Sequence, residues 1–166
     1  MFPPNDAWMT AHHSRPDQML RLTERVAAHV KRDHATIRAL LDMVERACLA
    51  AKDRQSGLES FRRAVWDLYL SFQEHLAMEE ADLVPLLRKD GAAGEVRATE
   101  MLLEHDEQHR LILELVEDTE CDVKDNDALV AQALALVHAF RTDMTIEERS
   151  VALLVASAPA SITRAR

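Results

Sequence analysis

Two polar residues stand on an otherwise apolar helical face near the middle of the chain. His75 and Glu79 are four residues apart in the segment SFQEHLAMEEADLVPLL, so a helix places one above the other. Phe72 and Leu83 continue the same face on either side. Burying a polar group costs on the order of 2–7 kcal/mol unless a partner satisfies it. A metal ion would satisfy both groups, which predicts further inward-facing ligands elsewhere in the sequence.

Three other stretches carry histidines or carboxylates at helical spacing from apolar residues. Together with the first pair they form a set of four imidazoles and three carboxylates: His34, His75, Glu79, His105, His109, Asp143 and Glu147. Mixed nitrogen and oxygen ligands without a thiolate suit iron, manganese or zinc rather than copper(I). Two carboxylates from opposite helices, Glu79 and Glu147, could each bridge two metal ions about 3.5–4 Å apart. The set therefore predicts a metal site with room for two ions.

The composition predicts helices as the elements that position these groups. Only three glycines occur among 166 residues, β-branched runs are scarce, and alanine, leucine, glutamate and arginine are abundant. The net charge of −9 is the opposite of the basic surface that nucleic-acid binding requires. The longest uncharged run, Ser150 to Thr163, is too short for a membrane span. Without a signal-peptide pattern or a cysteine motif, we expect a cytoplasmic protein that binds neither nucleic acid nor a membrane.

The periodicity predicts four long helices connected by short loops, in an all-α fold. The helices are expected over about residues 16–51, 58–88, 95–119 and 127–157, with breaks at DRQSG, KDGAAG and CDVKDN. Pro16 fits a first helical turn, and Pro85 should bend or loosen the last turn of the second helix. Such an arrangement favours an up-down-up-down antiparallel four-helix bundle over residues 16–158. Residues 1–15 are predicted to form an N-terminal arm and residues 159–166 a C-terminal tail.

The two halves of the chain resemble each other. RDHATIRALL around His34 can be aligned with LEHDEQHRLI around His105, and HLAMEEADLVPLL from His75 with DMTIEERSVALL from Asp143. Two copies of one helical hairpin in the same chain would form a bundle with pseudo-twofold symmetry, with the ligands at the centre of all four helices. The symmetry is broken at two positions. Asp143 stands where a histidine equivalent to His75 would be expected, and Arg38 stands where a histidine equivalent to His109 would be expected.

The order of these residues resembles the hemerythrins and their HHE cation-binding relatives. The pattern is His34, then H75-x3-E79, then H105-x3-H109, then a carboxylate-rich fourth helix, and it extends over about residues 20–157. The resemblance implies a four-helix bundle that holds two iron ions with an oxo or hydroxo bridge, with manganese or zinc as other possible metals. It also implies a role for each member of the set: His105, His109 and Asp143 would hold one iron, His34 and His75 the second, and Glu79 and Glu147 would bridge them.

Two registers are open on the fourth helix. H138-x4-D143 has the spacing of the oxygen-carrying hemerythrins, and it would make His138 a ligand and Asp143 the bridge. His138 lies on a mostly polar stripe, whereas Asp143 and Glu147 lie on the apolar stripe, which favours the register with Glu147. In a further reading, Asp143 only hydrogen-bonds a ligand histidine. The neighbouring glutamates, Glu80 and Glu148, are interpreted as solvent-exposed.

The resemblance implies a protein that binds and reacts with dioxygen or peroxide in a redox or oxygen response. Non-catalytic binding or sensing of dioxygen or nitric oxide, and metal storage, are the alternatives, so enzymatic and non-enzymatic functions both stay open here. The small molecule is the expected partner, and the sequence favours no oligomeric state. Asp143 in place of a histidine would add negative charge and stabilise ferric iron, which disfavours reversible oxygen binding.

Overall fold

The computed structural model describes residues 14–53, 56–121 and 125–157. Four helices make up nearly all of these described residues: α1 is Ser14–Asp53, α2 is Ser56–Arg88, α3 is Gly91–Glu120 and α4 is Asn126–Ser157. Each helix packs against two neighbours, so that α1 and α3 lie diagonally opposite, as do α2 and α4. No strand occurs in the described ranges. The prediction of an all-α, antiparallel four-helix bundle is confirmed.

Several predicted segments lie outside the described residues. They include nearly all of the N-terminal arm over 1–15, the whole C-terminal tail over 159–166, and residues 54–55 and 122–124 in two of the predicted breaks. Within the described ranges, no helix is both long enough and apolar enough to cross a membrane. Cys48 is buried and Cys121 is exposed, and neither forms a disulfide within the described residues.

The connection between α2 and α3 is shorter than KDGAAG predicts. Only two residues separate the helices, and Gly91 begins α3 with a φ of 74°. This left-handed conformation is easy for glycine, and it reverses the chain within the short turn. Gly94 then lies so close to the end of α2 that a Cβ there would overlap the carbonyl oxygen of Leu87. The alanines between the two glycines favour helix, so α3 begins at once.

Pro85 does not end α2 but lies inside it, and the helix continues to Arg88. After the helix, the amide of Lys89 donates to Leu86 O at 3.2 Å and that of Asp90 to Leu87 O at 2.9 Å. Both bonds span three residues, so the chain leaves α2 through a turn tighter than the α-helix. A bend or loosening of the last helical turn by Pro85 stays a prediction.

The core consists of two apolar clusters with a polar layer between them. The larger cluster includes Phe72 and Phe140, whose rings stack with centroids 4.0 Å apart. The smaller cluster, at the end of the bundle that contains the α2–α3 turn, includes Val30, Leu87 and Leu154. Full burial of such side chains contributes about 1.5–3 kcal/mol each. The two clusters therefore fix the depth at which the polar layer crosses the bundle.

Candidate metal centre

The polar layer consists of three histidines and two glutamates, and all four helices contribute to it. Its members are His34 on α1, His75 and Glu79 on α2, His105 on α3 and Glu147 on α4. His34 and Glu79 are 0 % exposed, and the most exposed member, Glu147, is only 5 % exposed. Helical periodicity explains this, because each of these residues occupies the inward face between residues of the two apolar clusters.

Both glutamates lie between His34 and His105. Nε2 of His34 is 3.4 Å from Oε1 of Glu79 and 3.2 Å from Oε2 of Glu147. Nε2 of His105 is 3.4 Å from Oε2 of Glu79 and 3.8 Å from Oε1 of Glu147. Nε2 of His75 lies 3.7 Å from Oε2 of Glu79. Each carboxylate thus presents one oxygen to His34 and the other to His105, which is the orientation that a bridging carboxylate requires.

The donor atoms at the centre of the layer are incompletely satisfied by the protein. Nε2 of His34, Nε2 of His105 and both carboxylate oxygens of Glu79 are buried without a hydrogen-bond partner among the described residues. Such atoms cost about 1–3 kcal/mol each unless a ligand satisfies them. One donor atom from each of His34, His75, Glu79 and Glu147 can be chosen so that all four lie within 4.8 Å of one another. The donor types and their convergence fit a metal ion of the iron, manganese or zinc class.

The outer nitrogen of every histidine in the layer contacts a carboxylate on a neighbouring helix. These contacts are His75 Nδ1 to Asp33 Oδ2 at 2.9 Å, His34 Nδ1 to Glu148 Oε1 at 3.1 Å, and His105 Nδ1 to Glu80 Oε1 at 3.2 Å. When Nδ1–H donates to a carboxylate, Nε2 carries the lone pair that can bind a metal. The three carboxylates therefore orient all three imidazoles toward the centre.

The interpretation of Glu80 and Glu148 as merely solvent-exposed is wrong, because both bond a histidine of the layer. They remain partly accessible, at 47 % and 31 % of the side chain, and Arg38 Nη1 also donates to Glu148 at 2.7 Å. Sequence reasoning missed Asp33 as well. Their positions in the sequence could have identified these carboxylates, since each of the three is next in sequence to a residue of the layer. One residue turns a helix by about 100°, which directs that neighbour to the adjacent helix.

Without metal, protons on His34 and His105 supply positive charge that metal ions would otherwise supply. Burial lowers the pKa of His34 and of His105, but the contacts with Glu147 and Glu79 outweigh it and raise both pKa values to about 10. Burial likewise acts to raise the pKa of Glu147, and the contacts with His105 and His34 lower it instead. The imidazolium charges therefore compensate carboxylate charge in the metal-free protein. Metal binding at Nε2 has to displace these protons.

His109 lies apart from the two glutamates of the layer. It is half-buried between α2 and α3, where the Gln73 amide donates to His109 Nε2 at 2.5 Å. Its ring also lies beside Tyr69, with centroids 6.4 Å apart. To bind a metal through Nε2, His109 would have to give up the bond with Gln73. Its role as a ligand stays a prediction.

Asp143 lies at the edge of the layer, one helical turn before Glu147. It is half-buried and accepts a hydrogen bond from the Gln108 amide. Burial and the nearby charges of Glu147 and Glu104 raise the pKa of Asp143 to about 6. Its role as a ligand also stays a prediction. His138 is exposed, so the geometry favours the register in which Glu147 rather than His138 belongs to the buried layer.

Comparison with known protein families agrees with this arrangement. The family model of the hemerythrin HHE cation binding domain matches residues 25–154, a range that contains every member of the layer. Searches of the curated proteins and of the solved structures gave no match. The resemblance inferred from the order of histidines and glutamates is confirmed. The chain belongs to the family of hemerythrin HHE cation-binding domains.

Proposed function

We propose that the polar layer holds two iron ions and that the protein binds and reacts with dioxygen or peroxide. The observation that carries this proposal is the orientation of Glu79 and Glu147. Each has one oxygen 3.2–3.4 Å from Nε2 of His34 and the other 3.4–3.8 Å from Nε2 of His105. Two shared carboxylates suit two metal ions about 3.5–4 Å apart.

The two proposed metal positions have different histidine ligands. One lies on the side of His34 and His75, whose ring centroids are 5.0 Å apart. The other lies on the side of His105, where His109 and Asp143 are the additional ligands that the sequence pattern suggests. Both would exchange a present hydrogen bond, with Gln73 or Gln108, for the metal.

The protein side chains around the layer have three roles in this proposal. Ferrous iron, when bound, supplies the electrons that reduce dioxygen or peroxide. Asp33, Glu80 and Glu148 keep the three imidazoles in the orientation and tautomer that leave Nε2 available. The apolar clusters above and below exclude water, and burial of the layer restricts access to small molecules. Asp143 adds a carboxylate where symmetry predicts a histidine, which favours the ferric state and so favours reaction over reversible binding.

A titration with ferrous iron followed by peroxide tests the proposal. Anaerobically reconstituted protein should take up close to two irons per chain. It should then consume one peroxide for every two ferrous ions oxidised, with two protons taken up and two waters released. Glu147→Ala should lose most of the iron and of the activity, because it removes a bridging carboxylate.

Glu74→Ala is the matched control, since Glu74 is an exposed glutamate on α2 that precedes His75. It should behave like the unmodified protein. One iron or less per chain would contradict the two-metal site. Two irons that bind dioxygen reversibly for hours, without oxidation, would instead support an oxygen-binding function.

A further inference from the structure

A groove between α3 and α4 opens beside the polar layer. These two helices pack less closely than the other three neighbouring pairs, and they leave a cavity of about 530 Å³. Leu103, Leu111, Phe140 and Ile146 form much of its wall. Small-molecule sites typically have volumes of roughly 300–1,000 Å³, mostly apolar walls and a few polar groups. The groove has these properties.

Part of the apolar wall is open to solvent. Leu103 is 65 % exposed and Ile146 is 54 % exposed, and they lie on opposite sides of the groove, on α3 and α4. An apolar ligand between them would remove this surface from water, which is the main source of affinity for such ligands.

Three carboxylates line the groove, together with the polar side chains of Gln108, His138 and Thr142. Glu104 and Asp143 line it, and within the described chain neither forms an ion pair with a lysine or arginine. A third carboxylate, Glu107, is already paired with Arg110, whose Nη2 and Nε lie 2.7 and 2.9 Å from its oxygens. No lysine or arginine is among the lining residues that the structure describes. A ligand cation would therefore meet two carboxylates that no lysine or arginine neutralises, and His138 is the one basic side chain among the described lining residues.

The groove adjoins the candidate metal centre. Asp143 is one helical turn from Glu147 on the same helix. Phe140, in the wall, stacks on Phe72, and the ring of Phe72 is 5.4 Å from that of His75. One aromatic pair therefore separates an apolar ligand in the groove from the polar layer.

We propose that the groove binds an organic cation with an apolar body, such as an alkylamine. Its ammonium group lies beside Glu104 and, in the metal-free protein, beside Asp143 as well, and its chain lies against Leu103, Phe140 and Ile146. A carboxylate of the same shape is repelled by the same two residues. Binding needs no metal, whereas a role for the bound amine as a substrate of the metal centre rests on the proposed function.

Three probes with the same chain and different head groups test the charge preference. n-Octylamine, 1-octanol and octanoate carry a positive, a neutral and a negative head at neutral pH. Calorimetric titration into the full-length, chelator-treated protein should show octylamine binding about tenfold more tightly than octanol, with octanoate weakest. Because this experiment uses metal-free protein, its result is independent of whether iron binds or reacts.

Two variants and two matched controls locate the site. Glu104→Gln should weaken octylamine binding about tenfold while leaving octanol unchanged, and Ile146→Arg should weaken both. The control Glu100→Gln changes an exposed glutamate on α3 outside the groove. The control Leu153→Arg changes an apolar side chain of α4 that is 65 % exposed and also lies outside the groove. Both controls should bind octylamine like the unmodified protein.

Three outcomes would overturn the proposal. The first is no binding of octylamine at millimolar concentration, and the second is octanoate binding as tightly as octylamine. The third is self-association of the unmodified protein in sedimentation that Ile146→Arg abolishes, which would assign the groove to a second copy of the chain.

Discussion

At the scale of single residues, three carboxylates outside the polar layer orient the histidines within it. Asp33, Glu80 and Glu148 each bond Nδ1 of one imidazole in the layer. They come from three different helices, so each histidine is oriented by a neighbouring helix rather than by its own. The orientation of the ligands is therefore coupled to the packing of the bundle.

Removing one of these carboxylate charges should weaken metal binding without unfolding the protein. We expect Asp33→Asn and Glu148→Gln each to lower ferrous affinity about 10–100-fold, because the imidazole loses basicity and its fixed orientation. The measurement is a competition titration against a chelator of known affinity. Glu74→Gln serves as the control, and affinities equal to that of the control would show that these carboxylates do not support the site.

At the scale of elements, apolar periodicity was sufficient to predict the helices and the inward position of most of the site. His34, His75, Glu79, His105 and Glu147 interrupt apolar faces, so their spacing alone places them in the core. The partners of their outer nitrogens could not be predicted in this way, because those contacts depend on how neighbouring helices are rotated. The contacts of His109 and Asp143 could not be predicted either, because these side chains bond the amides of Gln73 and Gln108 on neighbouring helices.

The start of α3 was mispredicted because its two glycines belong to a tight turn between helices rather than to a loop: Gly91 reverses the chain, and Gly94 allows a close contact with the end of α2. Gly94 has no space for a Cβ against Leu87 O, so Gly94→Ala should force α2 and α3 apart. We expect a loss of about 1–3 kcal/mol in the free energy of unfolding, measured by urea denaturation. Ala93→Ser, at the exposed neighbouring position, is the control. Equal stability of both variants would show that the turn is not closely packed.

At the scale of the whole molecule, one polar layer interrupts an otherwise continuous apolar core. The layer lowers stability unless its charges are compensated, by protons in the metal-free protein or by metal ions in the loaded protein. The stability of the protein should therefore depend on both pH and metal content.

Chelation should lower the Tm, and the difference between loaded and metal-free protein should grow as pH rises. The pKa values of His34 and His105 are about 10 in the folded metal-free protein, above the ordinary value of 6.5. Their stabilisation is thus complete below about pH 6.5 and is lost as pH rises through about 10. Metal-bound nitrogens carry no proton to lose. Thermal unfolding of both forms between pH 6 and 10 measures this, and a difference that shrinks with rising pH would contradict the assignment of protons to the layer.

In the proposed function, Glu79 and Glu147 hold two metal ions between His34 and His105. Anomalous diffraction at the iron edge, from crystals of the iron-loaded protein, tests it most directly. We expect two peaks about 3.5–4 Å apart, both within the layer and both in contact with the two glutamates. A single peak, or a peak bound to His138 with Glu147 unliganded, would contradict it.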